Sequence, residues 1–107
     1  MFLRSEEREP KNVLAKVAMK TLAYGDKTLM SEFHLEKGAQ LPRHSHPHEQ
    51  TGYLVSGQMQ LTTGTETFMV NPGDSWCIKG DVEHAAVALE NSVAIEVFAP
   101  VREDYLP

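Results

Sequence analysis

The chain reads as an all-β sandwich or barrel, because short alternating or continuous apolar runs recur along it and turn-forming clusters separate them. Residues 13–24 read as a strand entering the barrel, although their lysine and alanine content would also suit an amphipathic helix. Strands follow at 28–35, 51–55, 58–62, 67–70, 75–78, 84–89 and 92–98. Between them lie Glu36-Lys37-Gly38, Ser56-Gly57, Thr63-Gly64, Asn71-Pro72-Gly73-Asp74, Lys79-Gly80-Asp81 and Glu90-Asn91. Glycine supplies positive φ in such turns and proline a fixed φ.

A length of 107 residues suits one domain with a modest core and room for one site. The charged arm 1–10, ending at Pro10, is either mobile or completes a partner's sheet. Net charge is −5, from 15 acidic and 10 basic side chains, and no lysine or arginine stripe exists to displace counterions. Nucleic acid is therefore not an expected partner. No apolar run is long enough to span a membrane. Cys77 is the lone cysteine and the N-terminal residues lack a signal peptide's apolar stretch, so a cytoplasmic location is expected.

Histidine placement carries the chemistry. His44 and His46 differ by two positions, so an extended segment projects both to one face, and Gln50 can rejoin that face after Pro47. His84, far downstream on a separate strand, can close a site for a divalent transition metal. The competing reading is a polar surface loop at 44–48 and a satisfied strand-end histidine at 84; several ligand types agreeing in spacing favour the metal. His48 lies beside Pro47, with solvent exposure or a supporting role, and Glu49 points away from the ion. His34 is read as a strand residue near the pocket wall.

These residues resemble the cupins. The first cupin motif is glycine, five residues, His-x-His, three or four residues, glutamate, six residues, glycine; Gly38, His44, His46, Gln50 and Gly57 fall on it without a gap, with glutamine standing for glutamate. The second motif runs from Gly73 to His84 and on to Ala88; Lys79, Asp81 and Ala88 stand where proline, glycine and asparagine are usual. The resemblance implies a double-stranded β-helix, or jelly-roll barrel, with the ion inside, and a homodimer, the usual state of small cupins. Nickel, zinc, manganese or iron would suit the ligands. Because the Gln50 amide neutralises none of the ion's charge, Lewis-acid polarisation is favoured over redox cycling.

The strand 92–98 is strongly apolar, with Glu96 its one ionisable residue. If Ala94, Glu96 and Phe98 share the inward face, burial raises the Glu96 pKa, a nearby cation opposes that, and the carboxylate becomes suited to acid/base work. An edge strand with Glu96 in water is the alternative. The order Glu96-x-Phe98, three residues, Arg102, together with the histidine cluster, is similar to the pectin-degradation group of small cupins, the KdgF type. That resemblance implies His44, His46, Gln50 and His84 as metal ligands, Glu96 where the group has aspartate, Phe98 on its aromatic and Arg102 on its substrate-binding arginine. The implied reaction isomerises cyclic 4,5-unsaturated uronates, small sugar acids, to linear 5-keto-4-deoxyuronate. Arg102 could otherwise be a solvent ion pair with Glu103 or Asp104. A non-catalytic sugar- or acid-binding barrel and an iron or manganese dioxygenase are the other two functions the residues allow. Tyr53, Trp76 and Cys77 read as core or interface, Met59 and Met69 as barrel filling, and the small Ala86 and Ala88 as space for a ligand.

Overall fold

The computed structural model describes residues 1–107, and its strands are β1 (Lys11–Leu14), β2 (Val17–Tyr24), β3 (Leu29–Leu35), β4 (Gln40–His44), β5 (Glu49–Ser56), β6 (Met59–Thr63), β7 (Glu66–Val70), β8 (Ser75–Ile78), β9 (His84–Ala88) and β10 (Ser92–Ala99). They form a six-stranded sheet, β1-β2-β3-β10-β5-β8, and a four-stranded sheet, β4-β9-β6-β7. Every pairing is antiparallel, the jelly-roll arrangement expected of the sequence. No helix is long and apolar enough to cross a membrane.

Side-chain alternation decides what each strand gives the interior. On β3, Leu29, Ser31, Phe33 and Leu35 are buried while Met30, Glu32 and His34 face outward. Outside, His34 pairs with Glu32, so it does not stand on the pocket wall, contrary to the expectation above. β5 alternates in the same way, turning Gln50, Gly52 and Leu54 inward and Glu49, Thr51 and Tyr53 outward. The fully enclosed centre is Phe98, Leu29, Leu54, Ile78 and Val17.

β10 lies in the middle of the larger sheet between β3 and β5, which explains its apolar character and removes the edge-strand reading of Glu96. Residues 13–24 are not one strand. β1 and β2 meet in a hairpin whose Lys16 takes φ +65, a left-handed turn that no glycine or asparagine marks in the sequence. The N-terminal arm carries a 3-10 turn, Ser5–Glu7, and Lys20 Nζ donates to the Ser5 carbonyl at 2.7 Å and to its hydroxyl at 3.3 Å. Met59 fills the barrel at 3 % exposure, but Met69 is 52 % exposed and does not, because it stands opposite the exposed Gln60 on the outward face while Val70 beside it turns inward against Met59. Tyr53 and Cys77, read as core or interface, lie at the surface and so take no part in the core.

Leu54, with no exposed surface, tests this packing. Leu54→Ala is expected to destabilise the protein by about 2–5 kcal/mol in urea unfolding. A loss below about 1 kcal/mol would contradict its seat between the sheets.

Candidate functional site

β4 and β9 pair with His44 directly opposite His84, so register alone brings two imidazoles side by side, ring centroids 4.2 Å apart. His46 enters from the loop after β4, with its ring 5.7 Å from that of His44 and 4.9 Å from that of His84. Backbone holds this loop in place. The Asp81 N–H donates to the His46 carbonyl at 2.8 Å, and at Gly80 a Cβ would stand 2.4 Å from the Pro47 carbonyl oxygen. Asp81 itself adopts φ +68, so it takes the left-handed conformation that glycine would serve in the second motif; aspartate tolerates it better than most side chains.

Each histidine is oriented from behind. Nδ1 of His44 lies 2.7 Å from the Pro42 carbonyl, Nδ1 of His46 3.0 Å from that of His48, and Nδ1 of His84 2.9 Å from that of Val82. A carbonyl only accepts, so the protons sit on Nδ1 and the Nε2 lone pairs are left to bind. The cluster's ligand nitrogens lie within 4.8 Å of one another. Imidazoles bound at about 2.1 Å to one ion would need ring movements of under about an ångström to close that spread. His84 Nε2 is buried with no hydrogen-bond partner, the condition a metal ion relieves. Burial lowers the pKa of both His46 and His84, and the charge of Arg102 pushes the same way, so both are in the neutral, ligand-competent form at neutral pH.

Gln50, 5 % exposed, joins the cluster to the acid. Its Nε2 donates to Glu96 Oε2 at 3.0 Å, which turns Oε1 toward His46 Nε2 at 2.7 Å. With the His46 proton on Nδ1, both of these atoms offer lone pairs, and one cation between them would take both. The histidines and Gln50 therefore fit a metal.

Glu96 shares a cavity of about 70 Å³ with His44, His84, Gln50, Phe98 and Arg102. Burial pushes its carboxyl up to about 7, against the opposing pull of hydrogen bonds from Trp76 and Gln50 and the charge of Arg102. Trp76 Nε1–H donates to Glu96 Oε1 at 3.2 Å. The Arg102 guanidinium lies 4.0 Å from the Tyr105 ring centroid and 5.0 Å from that of Phe98. Its Nη2 and Nε donate to Asp104 at 2.7 and 3.2 Å, so the ion pair offered as an alternative role exists while Arg102 also lines the cavity; Glu103 takes no part in it. Phe98 is 1 % exposed and forms the cavity floor, its ring against His46 and Tyr105.

All seven site residues expected from the sequence thus converge. Ala86, inward on β9 beside His84, leaves the space expected of a small residue. Glu49 is exposed, and His48 contributes its carbonyl to His46. Sequence reasoning missed Trp76 and Gly52 as parts of the site, because they depend on cross-strand register, which no local pattern encodes, and it missed Tyr105, whose ring packs on Arg102. Asp104 was named only as an alternative ion-pair partner of Arg102.

Residues 31–99 match the family model of the cupin domain. The chain is 30% identical over 92 residues to the pectin degradation protein KdgF of Dickeya dadantii (strain 3937), covering 84% of each. The solved structure of KdgF from a Halomonas species superposes with TM-score 0.93 at 30% identity, over 99% of this chain and 98% of that one. An RmlC-like cupin from Shewanella frigidimarina gives TM-score 0.93 at 26% identity, over 98% and 95%. With the barrel, the histidine motif and these matches in agreement, the chain belongs to the cupin domain family and resembles KdgF.

Proposed function

We propose that this cupin is a metal-dependent isomerase that opens cyclic 4,5-unsaturated uronates from pectin or alginate breakdown into linear 5-keto-4-deoxyuronate. The observation that carries the reading is the joint presence, in one cavity, of an imidazole cluster, a carboxyl poised near neutrality and a guanidinium. The similarity to a pectin degradation protein supports it.

In this reading His44, His46, Gln50 and His84 hold one divalent nickel, zinc, manganese or iron ion, which supplies Lewis-acid polarisation of substrate oxygen. Arg102 binds the uronate carboxylate. Asp104 occupies its Nε and Nη2, so the carboxylate meets the end of the guanidinium that Nη1 completes. Phe98 supports that arginine from below and closes the floor against water. Glu96 takes the proton from the anomeric hydroxyl as the bond from C1 to the ring oxygen breaks, and the aldehyde forms at C1. The ring oxygen departs as the enolate oxygen on C5, and the same carboxyl returns the proton to C4 as that enolate becomes the ketone. Atoms and electrons balance without water or an oxidant, so the reaction is an isomerisation.

Elemental analysis of untagged protein is expected to find one equivalent of a first-row transition metal, and His84→Ala to lose it. Retention of full metal by that variant would contradict the centre. Purified holoprotein should accelerate loss of the conjugated-alkene ultraviolet absorbance of lyase products, with Glu96→Gln and Arg102→Ala each lowering kcat/KM by at least about 100-fold. Oxygen uptake or ligand-induced stabilisation without turnover would instead favour the dioxygenase or the binding module. Because Glu96 must be ionised to accept the proton, kcat/KM should rise with pH through a midpoint at or below about 7, the bound cation drawing it down. A rate that climbs as pH falls would contradict Glu96 as the base.

A homodimer belongs to the same reading. β1 is an exposed edge strand paired only with β2, and its Val13 and Leu14 are 41% and 46% exposed, a surface that wants cover. Light scattering should report twice the 12.0 kDa chain mass; a monomer at all concentrations would remove this element.

A further inference from the structure

Three adjacent strands bring Glu96, Gly52 and Trp76 into line: Glu96 on β10 pairs with Gly52 on β5, and Gly52 pairs with Trp76 on β8. The indole lies across Gly52 to reach the acid. A Cβ at position 52 would stand 2.2 Å from Trp76 Cε2 and 2.3 Å from Nε1, far inside van der Waals contact. Gly52 has ordinary strand geometry without a positive φ, and glycine is costly inside a strand, so its place here follows from the room the ring needs. At the far end of this path the Nε1–H meets Glu96 Oε1 at 3.2 Å, while Gln50 Nε2 meets Oε2 at 3.0 Å from the other side.

From this geometry we infer that Trp76, seated over Gly52, is the positioning residue for Glu96: its indole N–H fixes one carboxylate oxygen while Gln50 fixes the other, aiming the acid at the substrate held beside the imidazoles. Gln50 alone would leave the carboxylate free to swing about that single hydrogen bond. Two donors on opposite oxygens remove the rotation, and misplacement of a catalytic group by about an ångström can cost on the order of 100-fold in rate. Trp76 touches no proposed metal ligand through a hydrogen bond, so its removal should act on the acid and spare the ion.

The inference rests on the proposed isomerase reading for its kinetic arm and is independent of it for its spectroscopic arm. In the holoprotein, Trp76→Phe keeps an aromatic ring and deletes the donor. It should lower kcat on unsaturated uronates by about 10–100-fold while KM and metal affinity stay within about threefold. Wild-type kcat in that variant would overturn the role. Trp76 is the sole tryptophan, so intrinsic fluorescence reports its surroundings alone. Gly52→Ala, which displaces the ring, and Glu96→Leu, which removes its acceptor, should each shift the emission maximum from that of the wild type. An unchanged spectrum in Glu96→Leu would overturn the contact, even if Gly52→Ala does not fold. Should the wild type turn over no unsaturated uronate, the isomerase reading falls, and the emission of Glu96→Leu still decides whether indole and carboxylate are coupled.

Discussion

The buried Nε2 of His84 is the constraint around which the rest of the site is arranged. An acceptor removed from water with no donor costs about 1–3 kcal/mol, and the protein does nothing to relieve it from within. Instead, the Val82 carbonyl fixes the ring by its other nitrogen, and the β4–β9 register sets His44 alongside. The same device recurs at His44 and His46, so backbone carbonyls aim three lone pairs at one volume. Carbonyls of this kind both select the tautomer and raise the basicity of the free nitrogen, which is the behaviour of a metal centre's supporting shell.

Parity and spacing made much of this legible in the sequence. His44 and His46 differ by two and Gln50 returns to their face, and alternation along 92–98 placed Glu96 with Ala94 and Phe98. The last is a within-strand relation, fixed by the pleat whatever the neighbours are, whereas His46 lies in the loop after β4 and Gln50 on β5, so their place in the cluster was legible from spacing and not from strand parity. Relations between strands were not legible. Trp76 read as core or interface because its partner depends on how β8 aligns with β5 and β5 with β10, and nothing within the strand run 51–55 marks Gly52. The hairpin at Lys16 was missed for a different reason: its left-handed turn is imposed by the closing strands on a residue whose own preference is otherwise. His34 and Met69 failed because an apolar or imidazole side chain at a strand position says nothing of which face the sheet turns to its partner.

The cavity mixes charges with care for their distances. The Arg102 guanidinium depresses the pKa of His46 and His84 and helps hold Glu96 below the value burial alone would set. Left uncompensated, the same cation would oppose an ion at the imidazoles. Asp104 offsets it from the outer side through two hydrogen bonds, and its own carboxyl is held below the usual range by that pairing. The aromatic faces of Tyr105 and Phe98 spread the remaining charge, so the arginine stays anchored at the rim while its free edge faces outward from Asp104.

The identities at positions 50 and 96 are one choice rather than two. Side chains from β5 and β10 meet here with Gln50 Nε2 and Glu96 Oε2 at 3.0 Å, and only a donor at 50 makes that contact attractive. A glutamate at position 50, as the first cupin motif usually has, would face Glu96 across the same gap. Two carboxylates so close cannot both ionise at neutral pH, and the proton they would share would be lost either to metal binding or to acid/base work. With glutamine, the amide oxygen serves the imidazole side and the amide hydrogens serve the acid. The negative charge that a carboxylate ligand would have put on the ion is moved one residue outward, to a group whose oxygens are already fixed by Trp76 and Gln50 and whose ionisation lies near neutrality. Departure from the motif at one position is thereby tied to the presence of a buried acid on a different strand, and neither residue is intelligible without the other.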